Sequence, residues 1–160
     1  MSKIYANPAV VRNLRTTDDA SDLTVNIFNF DLADSAYKPA SIANGDQIQI
    51  GTLPGGEALV PHLCRLDVPI IDSDGSATGS ASIGTADTPA ALKATTSVAA
   101  ALLLTNEDFA LATAGTIGNA NDDVPIYLTF TAAVATLATS GKITFVQISR
   151  AFRQDEATVG

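Results

Sequence analysis

The sequence predicts an all-β protein: a β-sandwich of jelly-roll kind with one short helix and an extended N-terminal arm. Three observations lead there. About seven or eight short apolar-rich segments recur along the chain, with Gly, Pro, Asn and Asp between them, at the spacing typical of sandwiches. Apolar residues make up 46% of the 160 positions and charged residues only 16%. That balance argues against disorder and suits packed β-structure or a surface covered by neighbours. Finally, the stretch 44–70 sets two strand patterns either side of a Leu53-Pro54-Gly55-Gly56 turn. A chain of this length fits one domain with a core of its own. The expected organisation is an arm over residues 1–22, a sandwich over 23–150 and a C-terminal tail over 151–160.

In order, residues 1–22 carry Lys3, Arg12, Arg15, Asp18, Asp19 and Asp22 around a short Val10-Val11 pair. They cannot bury a face by themselves, and read as a frayed terminus or an arm lying on a neighbouring subunit. Over 23–30 the apolar parity passes from Leu23, Val25 and Ile27 to Phe28 and Phe30, which implies a bulge or a strand covered on both faces. Asn44-Gly45 is a two-residue hairpin signal, because a type I′ turn needs positive φ at both central positions. It precedes a strand with Ile48 and Ile50 pointing inward. After the glycine corner, Val60, His62, Cys64, Leu66, Val68 and Ile70 share one parity, while Pro61, Arg65, Asp67 and Pro69 share the other. This predicts one long strand with a polar face, its prolines at an edge or at non-hydrogen-bonded positions.

Asp74-Gly75 signals a second hairpin, returning through residues 78–84, where small side chains permit close backbone approach. Thr88 as N-cap and Pro89 at N1 open a short helix over 89–94. Periodicity does not separate helix from strand for 98–104; a strand or extended segment is favoured there. Asp122, Asp123 and Pro125 mark a loop before the cleanly alternating strand 126–131. Ser140-Gly141 leads into a strand over 143–148 with a parity slip near Phe145 that suggests a bulge.

Composition narrows the partners. Nine basic and seventeen acidic residues give a formal charge of −8, a field that repels phosphate backbones and anionic lipid headgroups. Neither nucleic acid nor a membrane is an expected partner, and no apolar run approaches the roughly 18 residues that span a bilayer. The single cysteine, Cys64, has no intramolecular disulfide partner, and the first residues lack the apolar region of an export signal, which points to a reducing cytoplasm.

No group of residues announces a reaction, and no catalytic, cofactor-binding or metal residues are assigned. His62 and Cys64 would project to one face of their strand, but two ligands do not complete a tetrahedral zinc site and nothing flanking suggests an activated thiolate. They read as packing residues. Asp72-Ser73-Asp74-Gly75-Ser76 opens like a calcium loop, yet Ile83 stands where the bidentate Glu would fall. Asn119, Asn121, Asp122 and Asp123 read as a solvated loop. The glycines of 51–56 lack the following GK[ST] of a phosphate cradle. With no tryptophan, a stacking platform for sugars is not evident, although a loop tyrosine such as Tyr37 would serve. An enzyme is not expected.

One resemblance gives a function. Leu53-Pro54-Gly55-Gly56-Glu57-Ala58, Ser80-Ala81-Ser82-Ile83-Gly84 and the closing strand 143–150, which ends in Arg150, resemble recurring segments of small virion proteins of tailed bacteriophages, of the capsid decoration or cement type. In that group the corner runs Leu-Pro-x-Gly-Ala; here Glu57 is inserted after the glycine pair. The likeness extends in outline over 45–150. It implies a structural protein of the virion, assembled in the host cytoplasm, that binds the outer surface of the capsid. The implied partner is the major capsid protein, and the implied state is a homo-oligomer, with a trimer favoured. The alternative is a carbohydrate-binding or adhesion module of the same fold.

Overall fold

Two long strands near the C-terminus, β10 (Val124–Ala132) and β11 (Lys142–Ala151), organise the molecule. Both are rich in β-branched and aromatic residues, which pack well on a pleated surface. In the computed structural model they stand at the centres of two facing sheets. The structure describes residues 3–5, 23–34, 41–74, 78–105, 108–109, 116–151 and 158–159.

The first sheet has five strands in the order β1 (Lys3–Tyr5), β3 (Gln47–Leu53), β10, β6 (Ser80–Gly84), β7 (Lys93–Ser97). The second has seven. β11 pairs along one side with β2 (Thr24–Asp31), and along the other with β4 (Glu57–Leu59) and β5 (Arg65–Val68). β4 continues to β9 (Thr116–Asn119) and β12 (Thr158–Val159), and β5 to β8 (Leu102–Thr105). Every pairing is antiparallel except those of the two terminal strands, β1 on β3 and β12 on β9. The fold is an all-β sandwich of jelly-roll-like form.

The core lies between the sheets. Ile48, Leu128 and Ile83 form one cross-strand row of the five-stranded sheet, with Phe130 beside Ala81. Opposite them lie Ile143, Phe145, Phe30, Leu66 and Val68, all buried. Gly51 leaves room for this contact: a methyl group there would fall 2.9 Å from both Phe145 Cδ1 and Gln147 Oε1. Gln147 also bridges the layers, donating from Nε2 to the Thr52 carbonyl at 3.0 Å.

The corner at 53–56 carries the chain from β3 in one sheet to β4 in the other. The Glu57 amide donates to the Pro54 carbonyl (3.1 Å), closing a turn with Gly56 at φ +83°, the type II geometry that favours Gly at its third position. A side chain at Gly55 would collide with the backbone of Asn121. The loop read from sequence as merely solvated thus braces this corner: Asp123 Oδ1 accepts from the Gly55 amide (2.9 Å), and the Asn119 carbonyl accepts from Gly56 (2.8 Å).

Several expectations need correction. The short helix does not form at 89–94. Thr88 and Pro89 open a tight turn, Leu92 donates to the Ile83 carbonyl (2.9 Å), and residues from Lys93 onward extend as β7. A helix of so few residues gains too few hydrogen bonds to repay its nucleation, so the strand pairing wins. A helical turn does form elsewhere, the 3₁₀ turn η1 (Pro61–Leu63). It interrupts the long strand foreseen over 60–70, because Pro61 lacks a ladder donor.

Asn44-Gly45 does turn, with Gly45 at φ +89° and Ala43 accepting from Asp46 (3.1 Å), but it joins no hairpin. Ile42 bridges Val134 while β3 pairs with β10, so the two flanks share a neighbour without pairing each other. Likewise β5 and β6 belong to different sheets, so no hairpin spans 74–75; Gly75 itself lies outside the described residues.

The register of β2 with β11 is unbroken over eight pairs, so neither strand bulges against the other. β2 is instead partly covered on both faces, and the inward parity of β11 simply continues into polar Gln147 and Ser149. The irregularities lie in the other sheet. Ile50 of β3 is an extra residue against β10 between the pairs Ile126–Gly51 and Tyr127–Gln49, and Thr131 is extra in β10 against β6.

Candidate functional site

The outward face of the seven-stranded sheet gathers the features that fit a docking surface. Facing pairs in an antiparallel ladder point to the same side, so the registers define rows across β2, β11, β5 and β8. One row runs Asn29, Thr144, Asp67, Leu103; the next runs Ile27, Val146, Arg65, Thr105. In the first, the Thr144 hydroxyl donates to Asn29 Oδ1 at 2.8 Å. Along β5, from one row to the next, Arg65 and Asp67 form an ion pair at 3.7 Å, their side chains 55% and 53% exposed. Such a pair adds little stability, but it leaves the patch electrically balanced within a protein of net charge −8.

Leu103 is 53% exposed at the centre of β8, which pairs only with β5 among the described residues. Ile27 and Val146, neighbours on β2 and β11, are half-buried on the same outward face, with β5 and its Arg65–Asp67 pair between them and Leu103. Leu63, on η1 before β5, and Ile70, after it, are the other large apolar residues left exposed among the described residues. Sequence reasoning found Arg65 and Asp67 on this face. It missed Leu103, Ile27 and Val146, because alternation shows which residues share a face but not which face remains uncovered.

The remaining candidates are separated or already engaged. His62 lies exposed on η1 whereas Cys64 is buried, so the two do not share a face; the 3₁₀ turn rotates one away from the other. The Cys64 thiol lies 3.4 Å from the Val60 carbonyl and accepts the Ile148 amide at 3.4 Å. Burial pushes its pKa up to about 11, against the smaller opposing pull of the Ile148 backbone hydrogen bond. A thiol held neutral in this way is a packing group at pH 7.

Asp72 is buried, and its carboxylate is engaged by protein: Oδ2 accepts from the Gly79 amide (2.9 Å) and Oδ1 from Asp74 (3.3 Å). Ile83, where a calcium ligand would stand, is buried in the core. Among the described residues, no three His, Cys, Asp or Glu side chains gather as a metal site, and no helix is long and apolar enough to cross a membrane. Asn119 Oδ1 accepts from the amides of Asn121 (2.9 Å) and Asp122 (3.3 Å). Tyr127 is buried, and Tyr37 lies outside the described residues. Of the N-terminal segment, Lys3–Tyr5 pairs with Gln47–Gln49 of its own chain, while residues 6–22 lie outside the described set.

No protein-family model matches the chain, and no curated protein does. Similar solved structures include a chain in the capsid of Ralstonia phage GP4, with a TM-score of 0.53 and 22% identity, covering 99% of each chain. A chain in the capsid asymmetric unit of cyanophage Pam1 has a TM-score of 0.52 and 13% identity, covering 92% of this chain and all of that one. At these identities the likeness is one of fold: nearly end to end, the protein has the architecture of a chain found in each of two phage capsids.

Proposed function

We propose that this protein is a structural, non-enzymatic component of a tailed-phage virion, binding the outer surface of the capsid and stabilising it as a decoration or cement protein. The observation that carries this reading is the near-complete coverage in both directions by chains from two phage capsids. The corner and strand segments at 53–58, 80–84 and 143–150 point the same way. The major capsid protein is the partner, and the chain works as a homo-oligomer, with a trimer favoured. It resides in the virion after assembly in the host cytoplasm.

The mechanism is interfacial. Around the Arg65–Asp67 pair, the rows through Val146 and Leu103 offer mostly aliphatic and short polar side chains, which dock at small cost in side-chain entropy. A stable contact buries about 800 Å² on each partner, and many copies on one lattice multiply a modest individual affinity. The acidic remainder of the surface complements basic ground on the shell, so that part of the binding weakens with salt.

The test is to add the purified protein to expanded capsids lacking it. Co-sedimentation, together with a raised temperature of capsid disruption, is expected. A protein that stays in the supernatant at micromolar concentration with such capsids would sink the proposal.

A further inference from the structure

We propose that β1 is exchanged between copies: Lys3–Tyr5 of one chain pairs along Gln47–Gln49 of an adjoining chain, in the same register it takes within one chain. The inference rests on the reading of the protein as a multi-copy shell component, and it concerns how the copies hold one another.

The β1 ladder is short and marginal. It has three residue pairs, Lys3–Gln47, Ile4–Ile48 and Tyr5–Gln49, is parallel, and lies at the edge of its sheet. Parallel pairs are slightly weaker per residue than antiparallel ones, so little holds β1 to its own edge against an identical competitor. Exchange forfeits none of this pairing, because the incoming strand has the same sequence and meets the same edge.

The connection is long. β1 ends at Tyr5 and β2 begins at Thr24, so eighteen residues, 6–23, lie between them. Extended, that length reaches roughly 60 Å. A domain of this size is roughly 40 Å across. β2 lies against β3, the strand next to β1, so joining the two within one chain needs only a fraction of that reach.

Charge selects a second copy as the occupant. Residues 1–15 carry Lys3, Arg12 and Arg15 and no acid, a charge of +3, while Asp18, Asp19 and Asp22, at the β2 end of the connection, bring residues 1–22 as a whole to zero. The other six basic and seventeen acidic residues leave −11 on the rest of the chain. Two copies of net charge −8 repel, and a basic terminus laid on the neighbour's acidic body offsets that repulsion where the copies meet. On a lattice the neighbour's edge is present at high effective concentration.

The experiment uses full-length chains in a Cys64→Ala background. One, with its own affinity tag, carries Tyr5→Cys; the other, differently tagged, carries Gln49→Cys. They are co-expressed, purified through both tags and oxidised. Exchange predicts a disulfide between differently tagged chains in essentially all of the Tyr5→Cys population of a dimer and in about two-thirds of that of a trimer, since selection through both tags removes unmixed assemblies. A single chain carrying both substitutions reports the register, since it closes either within itself or onto a neighbour. If these variants do not fold, Lys3→Cys and Gln47→Cys test the same ladder. Oligomers of normal mass with disulfides only within chains overturn the exchange and leave the shell reading standing. Monomers at every concentration overturn both.

Discussion

β10 and β11 are consecutive, similarly long and similarly rich in β-formers, yet they face different surroundings. In β10 every residue of 126–130 is buried, the outward Tyr127 and Thr129 as fully as the inward Ile126, Leu128 and Phe130. In β11 burial alternates strictly, with Ile143, Phe145, Gln147 and Ser149 inward and Thr144, Val146 and Ile148 half-covered. One central strand is sealed on both faces; the other leaves a face available. The difference teaches that a strand's sequence reports its capacity for burial, and its neighbours decide how much is used. It also singles out the outward face of the seven-stranded sheet as the surface for the docking proposed above.

The largest effects should be alike in the two strands, because their inward faces meet in one core. Phe130→Ala and Phe145→Ala should each cost about 3–5 kcal/mol, read from denaturant midpoints with unchanged slopes. A marked asymmetry would mean that the sheets unfold separately.

The outward faces should then diverge. Thr129→Asp places a charge under cover and should cost about 3 kcal/mol or more. Val146→Asp should cost about 1 kcal/mol, the scale of a strand-propensity change, while abolishing association with capsids. Equal stability losses would show that the face of β11 is as closed as that of β10; full capsid binding by Val146→Asp would remove that face from the interface.

Cys64 tests how tightly β11 seals its flank, since the thiol contacts the Ile148 backbone. Its folded pKa of about 11 lies above the ordinary 9.0. Below pH 9 the thiol is neutral in both states. Between 9 and 11 only the unfolded chain loses the proton, so stability falls as pH rises and levels off above 11, by about 3 kcal/mol in all. Thermal melts of Cys64→Ala should lack that part of the alkaline decline; identical pH profiles would mean the thiol is solvated. The smallest effect is expected for Arg65→Ala, under about 0.5 kcal/mol in chemical denaturation, since its ion pair with Asp67 is exposed.

Much of the fold was legible in local chemistry. The Leu53-Pro54-Gly55-Gly56 corner could be read because Gly56 adopts a backbone angle that other residues resist, a constraint that needs no distant partner. Ile48 and Ile50 pointed inward as their pattern required, and Arg65 and Asp67 outward. The failures share a cause. Asn44-Gly45 turns as expected, yet only the tertiary structure put its flanks beside β10 rather than beside each other. The 89–94 segment has helical start signals, and the open edge of β6 drew it into extension. His62 and Cys64 matched in parity until Pro61 broke the strand into β4 and β5 of one sheet.

By itself, then, the sequence determined the all-β class, the acidic balance, the corner and the strand-forming segments, since these follow from backbone preferences and side-chain character within a few residues. The tertiary structure alone decided which sheet each strand joins, which strand is sealed on both faces and that Leu103, Ile27 and Val146 share one outward face, because those depend on contacts between residues far apart in the chain.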